Sequence, residues 1–543
     1  MRAAGAALVV AGGLGLMARY AAANAGPYNR RSMLRPANAL LAIVASCLSM
    51  VLLWPGVGLA WLGVFLLRPG VAVMAAQMPI AMRVTRVENS LVGAVVVKGR
   101  PLKVSKLDDR MRDLKVPAVS VAVFQFGQIE WTRAWGFADV EARRKASADT
   151  RFQAASISKP VAAVAALALV SRGRLALDEN VNKYLKTWKV PDNQFTTTDK
   201  VTLRRLLTHS AGTTVSGFRG YSSRAEIPTL LQVLNGTKPA NSAAVVVDIP
   251  VGSRWRYSGG GFSIVQQIIE NDTGKPFAQA ARELVLEPFG MKHSTFLQPL
   301  PADLRDDAAT GYLASGEPVP GRFHAYPEQA AAGLWTTAED LAKFAIELQK
   351  IGAGKSTKVI TQELATEMLR RQFEQWGLGV GVEGEGAAVR FSHGGSNEGF
   401  RSVLHSYRSA ASGVVVMTNS DAGAAVAAEI VRAVAREYRW PGLGPIERTL
   451  GASDPARYKD FTGRYEIGTR SPPVILRIDV ETDRLVGTVG TIKSELLPES
   501  DDTFFSIDTD VRVQFVRDGS GRVTGARIWQ GGVERKALRV AQP

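Results

Sequence analysis

"QAASISKP", residues 153–160, sets a serine three residues ahead of a lysine, at the mouth of the strongly apolar stretch "PVAAVAALALVSRGR". A serine hydroxyl attacks a carbonyl only when a base takes its proton, and a lysine is a base only after losing its own. In a helix, Ser156 and Lys159 at i and i+3 share a face, so the amine reaches the hydroxyl. Free N–H groups at the helix start favour negative charge on the serine oxygen, and burial lowers a lysine pKa. The stretch that follows is apolar on every face and ends near Gly173, which predicts a helix buried between other elements. On its own, the spacing is met equally by an N-capping serine and an exposed lysine.

Upstream, "VPAVSVAVFQFGQIEWTRAWGFADV" alternates apolar and polar residues on both sides of Gly127, the pattern of an antiparallel hairpin. Helical and loop segments follow to about residue 330, and "AAAGLWTTAEDLAKFAIELQK" reads as a loop, a threonine cap and an amphipathic helix. Strand-like runs return in "WGLGVGVE", "VRFSHGG", "FRSVLHSYR" and "GVVVMTNS" before a closing helix, "AAVAAEIVRAVAREY". Strands that open and close a domain imply an antiparallel sheet whose first strands pair with its last. From Tyr458 onward short alternating runs predict a small all-β module, a meander or closed barrel. Residues 68 to about 100 read as a linker.

Further motifs change the weight of the serine and lysine. "RWRYSGGGF" places Tyr257 just before a glycine run, where a phenol can relay a proton. "FSHGGSNEGF" places His393, Gly394 and Gly395 at a strand end, where small residues let a substrate approach the backbone. "LLTHSAG" completes the ordered set; its His209 reads as a structural loop residue.

Together these resemble the serine β-lactamase and penicillin-binding-protein-like superfamily, and within it the class C β-lactamase-related branch with the family VIII carboxylesterases and D-aminopeptidases. The resemblance covers about residues 105–440. It implies an α+β fold, an α/β/α sandwich around an antiparallel sheet plus a helical subdomain; no His/Asp/Glu cluster has metal-ligand spacing, so neither a metal nor a cofactor is expected. It assigns Ser156 as the acylated nucleophile, Lys159 with Tyr257 as the proton-transfer pair, and His393 to the third-motif position. The N–H groups of Ser156 and Ser396 would form the oxyanion hole, with Gly394 and Gly395 beside the substrate. Gly259 stands where the β-lactamases carry an asparagine, and His393 where they usually carry a lysine. An ester or D-amino-acid peptide substrate therefore fits better than a β-lactam. A true β-lactamase or D,D-peptidase, and an inactive membrane-tethered scaffold, are the alternatives. The C-terminal module resembles the lipocalin-like appendages of such hydrolases.

The formal net charge is +16, and half of it comes from eight arginines that precede Glu88 with no acidic residue among them. The remainder shows no interleaving of basic and aromatic residues, so nucleic acid is not an expected partner. Residues 37–67 carry no charge, against the roughly 20 residues needed to span hydrocarbon. A transmembrane segment follows, and Arg19, Arg30, Arg31 and Arg35 before it would stay cytoplasmic, leaving the hydrolase periplasmic or cell-surface. A cleaved signal peptide with a secreted product is the rival. A weaker apolar run begins at Ala3. Cys47, the single cysteine, can form no internal disulfide. The expected divisions are a targeting region at 1–87, a hydrolase at 88–445 and a β module at 446–543. The expected partner is a small-molecule or peptide substrate; oligomeric state is open.

Overall fold

The computed structural model describes residues 80–541, apart from 469–473, 491, 508 and 531–532. The expected hairpin turns at Phe126 and Gly127 (φ 51° and 73°) and joins β1 (Ala118–Gln125) to β2 (Gln128–Asp139). With β3 (Arg144–Lys145), β4 (Gly381–Glu383), β5 (Arg390–Asn397), β6 (Phe400–Tyr407) and β7 (Gly413–Thr418) they build one sheet. Its order is β3-β2-β1-β7-β6-β5-β4, antiparallel throughout, so the first strand does pair with the last.

Both central strands are covered on two faces, and successive side chains go to opposite ones. Val119, Val121 and Val123 of β1, with Val414 and Val416 of β7, meet Val426, Ile430 and Val434 of the closing helix α4 (Gly423–Glu437). Ala122, Phe124, Val415 and Met417 point the other way, onto Leu341, Ala345 and Leu348 of α3 (Ala338–Gly352). The Thr337 hydroxyl caps α3 by accepting from the Asp340 N–H at 3.1 Å. Two more helices lie on the α3 side, α1 (Ser158–Ser171) and α2 (Gly259–Thr273). Every residue of α1 from Ser158 to Leu169 is buried, and its many alanines permit close approach. A Cβ built on Gly379 would lie 2.6 Å from that of Ala163.

The C-terminal module is a closed eight-stranded barrel, β8 (Gly463–Ile467), β9 (Val474–Glu481), β10 (Arg484–Val489), β11 (Ile492–Ser500), β12 (Thr503–Phe505), β13 (Val511–Arg517), β14 (Val523–Gln530) and β15 (Val533–Val540). Phe461, Tyr465, Phe504 and Phe515 pack inside it.

Residues 80–97 are not the linker that the sequence led us to expect. Ile80, Val84 and Val87 are spaced for one helical face, and the helix Ile80–Glu88 buries the two valines in the cluster beneath α4. Arg86 adds an Nε bond of 2.8 Å to Glu437. The strand Val95–Val97 then pairs in parallel with Ile446–Arg448, so the expected boundary at 445/446 falls at a strand. The apolar runs at residues 37–67 and from residue 3 lie outside the described residues. Among the described residues no helix is long and apolar enough to cross a membrane.

Candidate active site

The turn that carries Ser156 is built by its neighbours. Ser156 lies in a 3-10 turn, Ala155–Ile157, and the α-helix starts only at Ser158. Ala155 takes φ 52°, a left-handed conformation that costs an alanine on the order of 1–2 kcal/mol. The surroundings impose it. The Ala154 N–H donates to Leu334 O (2.9 Å), and Ser158 Oγ donates to Ala155 O (2.6 Å) while accepting from the Leu334 N–H (2.9 Å). Ser402 Oγ holds Ala154 O at 2.9 Å, and Asn397 Nδ2 donates to Gln153 Oε1 (2.7 Å) and Ala332 O (3.1 Å). The serine is thereby fixed against β5 and the segment 329–334, a short helix (Gln329–Ala332) and the two residues after it.

Lys159, 1% exposed, donates from Nζ to Ser156 Oγ at 3.0 Å and to Ala331 O at 2.8 Å. No carboxylate offsets its burial, which lowers its pKa from 10.5 to about 7. The amine also lies 4.9 Å from the centre of the Tyr257 ring. Burial pushes the Tyr257 phenol up, opposed only by its hydrogen bond with Ser156. Tyr257 therefore stays protonated, and between these two groups the amine holds the accessible basic form.

His209 supports Tyr257 from behind, ring centres 4.4 Å apart, and its Nδ1 accepts the Ser258 N–H at 3.1 Å. It pins the turn before α2, and burial with the nearby Lys159 and His393 keeps it neutral. His393 is buried too. Its Nδ1 lies 2.6 Å from Gly394 O, and a carbonyl can only accept, so the proton sits on Nδ1 and Nε2 is left without a partner. Burial first, and Lys159 second, hold His393 at about 3. Of the four groups gathered here, only Lys159 changes charge near neutral pH.

The last β4–β5 pair is Gly381 with Ser392, so β5 from His393 to Asn397 has an open edge on that side. His393, Gly394, Gly395 and Ser396 line a cavity of about 780 Å³ with Ser156, Tyr257 and Trp376. A Cβ on Gly395 would fall 2.2 Å from Ala154 O, so glycine there is what lets the strand meet the serine turn. The chemistry available is attack by a hydroxyl beside a neutralisable amine, against an open strand edge.

Residues 104–438 match the Beta-lactamase family. This chain belongs to that family. It is 29% identical over 306 residues to the esterase EstB of Burkholderia gladioli, covering 51% of this chain and 75% of that one. It is 28% identical over 229 residues to the Protein flp of Staphylococcus aureus strain MW2, 42% of this chain and 44% of that protein. The fold is similar to that of the octameric penicillin-binding protein homologue from Pyrococcus abyssi (TM-score 0.51, 22% identity, covering 79% of this chain and 98% of that one).

In this beta-lactamase-family site, Ser156, Lys159, Tyr257 and His393 come together as the motifs implied. Gly259 is also present, and a Cβ on it would meet Phe218 Cε2 at 3.0 Å, so an aromatic ring stands where a side chain at 259 would project. Sequence reasoning missed Phe218, the Ala331 carbonyl and Trp376, whose ring lies 5.1 Å from His209 and 5.6 Å from His393. Ala331 lies in "AAAGLWTTAEDLAKF" and Trp376 opens "WGLGVGVE", but neither pattern points to the serine, and Phe218 lies in no pattern at all.

Proposed function

We propose that the chain hydrolyses a carboxylic ester through an acyl-enzyme on Ser156. Neutral Lys159 takes the hydroxyl proton as Oγ attacks the carbonyl carbon, and the N–H groups of Ser156 and Ser396 receive the developing oxyanion. The tetrahedral intermediate expels the alcohol, which takes a proton relayed through Tyr257 from Lys159. Water then attacks the acyl carbonyl, its proton passing back to the same pair, and Ser156 is released as the hydroxyl with the carboxylic acid as product.

The observation that carries the reading is Lys159 Nζ at 3.0 Å from Ser156 Oγ, with burial setting the amine's pKa at about 7. The likeness to an esterase supports an ester. Two features argue against a β-lactam: Phe218 fills the space beside Gly259, and neutral His393 supplies no positive charge for a carboxylate. The uncharged run at 37–67 supports attachment to a membrane with the hydrolase outside, which fractionation of the intact chain would test.

Intact mass spectrometry tests the chemistry, with the full chain and Ser156→Ala each exposed to a fluorophosphonate, p-nitrophenyl butyrate and a cephalosporin. The expected result is an adduct on the unaltered chain alone, with butyrate turnover and an intact cephalosporin. Folded protein that no probe labels at Ser156 would remove the nucleophile assignment and leave the scaffold reading.

A further inference from the structure

The cavity that opens at Ser156 does not end there. It runs over the outer face of the sheet, beside α4, to Gly442, Leu443 and Ile446 and on to Asp510 of the barrel. Its volume, about 780 Å³, is in the range of small-molecule sites, roughly 300–1,000 Å³. We propose that this groove binds an extended apolar chain of the substrate, with the ester at Ser156 and the chain's far end against the barrel. The inference rests on the hydrolase reading above and adds the substrate class.

The passage is formed by strand alternation. Gly395 turns inward to Ala154 and Ser402, whereas its neighbours Gly394 and Ser396 are exposed on the opposite face. A Cβ on Gly394 would meet nothing nearer than Ser402 O, at 3.9 Å, so the strand offers an unobstructed crossing from the serine to the outer face. Beyond it, the floor is β6 at Val403, and the wall is α4.

That wall is mainly of small apolar side chains. α4 sends Val426, Ile430 and Val434 into the core beneath it and lines the groove with Ala424, Ala427, Ala428, the edge of Val431 and, at its far end, Arg432. Seven residues of helix at 1.5 Å each give the wall a length of about 10 Å before the groove reaches 442–446. An eight-carbon chain spans such a length, and an acetyl group does not.

Arg401, Arg432 and His405 border the groove. Arg401 is held by Asp421 at 3.0 Å and by the carbonyls of Asn397 and Phe400. Arg432 Nε donates to Val92 O at 2.9 Å. His405, also on the groove, is kept neutral by burial, at about 4. Between these groups Val403, Ala424, Ala427, Ala428 and Val431 line the groove with apolar side chains, and that stretch rewards methylene groups.

The experiment uses the full chain with two ester series: p-nitrophenyl acyl esters from acetate to decanoate, and acetates of alcohols of the same lengths, all below their aggregation limits. Ala428→Trp and Ala424→Trp narrow the groove at half-buried and exposed positions outside the serine site. The expected result is a rise in kcat/KM of up to about fourfold per methylene in one series, which identifies the side of the ester that enters the groove. Ala428→Trp should then cut the rate on the ten-carbon member of that series at least tenfold and leave its shortest member within twofold. A flat profile in both series, or variants that slow short and long esters alike, would overturn the groove and leave the hydrolase standing.

If no ester is turned over, the hydrolase reading fails by itself, and binding decides the groove. Ser156→Ala, titrated with decyl acetate and followed by tryptophan fluorescence from Trp376 in the cavity, should bind it, and should lose most of that binding when Ala428→Trp is added. No binding of the long chain by Ser156→Ala would overturn the proposal.

Discussion

Lys159→Met should stabilise this protein while disabling it, and the gain should disappear as pH rises. The folded chain holds Lys159 at about 7 against an ordinary 10.5, with burial as the cause. At about 1.4 kcal/mol per pH unit, that difference is a cost of ~5 kcal/mol to the folded state. Below pH 7 both folded and unfolded chains carry the proton, so the cost is present in full. Between pH 7 and 10.5 the unfolded chain binds a proton that the folded one lacks, so stability rises with pH. Above 10.5 the cost is gone. Methionine removes this dependence, but it leaves the buried Ala331 carbonyl without its donor, a loss of about 1–3 kcal/mol. The net expectation is a gain of roughly 2–4 kcal/mol at pH 6 that falls with pH, reverses between about pH 8 and 10, and becomes a loss of about 1–3 kcal/mol above pH 10.5. Urea unfolding of both proteins at pH 6, 8 and 10, followed by tryptophan fluorescence, reads it directly. Parallel stability curves, or a methionine variant weaker at pH 6, would refute the account of how the amine is held. In the unaltered chain the same protonation gives kcat/KM for a short ester an acid limb with its midpoint near pH 7.

Tyr257→Phe keeps the buried ring and removes the relay, so kcat/KM should fall about 10²–10⁴-fold with little change in Tm. Gly395→Ala drives a methyl group against Ala154 O and Ser402 Oγ, both at 2.2 Å; urea titration should show a loss of about 1–3 kcal/mol, with ester turnover falling further as the serine turn shifts. Gly259→Asn should impair activity by displacing Phe218, and Phe218→Ala in the same chain should restore part of it; additive losses in a double-mutant cycle would separate the two residues. Glu328 is fully buried with no side-chain partner for its carboxyl group, and burial, opposed only by its own backbone N–H, raises its pKa to about 8. The folded chain keeps that proton between pH 4.5 and 8, so stability falls as pH rises through this window, and Glu328→Gln should recover about 3–5 kcal/mol at pH 9 while changing little at pH 4.

What the sequence made legible was local or periodic. Ser156 and Lys159 are three residues apart, so their meeting needs only one turn of chain. The sheet could be read because alternation marks each strand and because strands stand at both ends of the domain. Tyr257 and His393 were found through motif order, since neither has a neighbour in sequence that reveals its partner. Other parts were set by contacts distant in the chain. The helix Ile80–Glu88 has two buried valines among arginines, and only the α4 surface makes that enough. The 3-10 geometry at Ser156 comes from Ser158 and Leu334 bonding around Ala155, which no propensity of "AASIS" encodes. Phe218 and Trp376 reach the site from irregular chain, and the Ala331 carbonyl from the four-residue helix Gln329–Ala332, all too short to show a period.

The pairing of β1 with β7 also sets a schedule for synthesis. About 290 residues separate the two strands, so at roughly 5–20 residues per second the ribosome needs about 15–60 s to deliver the partner. Through that interval Val119, Val121 and Val123 have no β7 beside them and no α4 above them. An unpaired apolar edge held open this long is an aggregation hazard. A nascent chain of this protein should therefore engage a holding chaperone from about residue 160 until the ribosome has reached about residue 470, the same ~35 residues beyond α4 as 160 is beyond β1, and a chain truncated before 413 should precipitate rather than persist as a folded fragment.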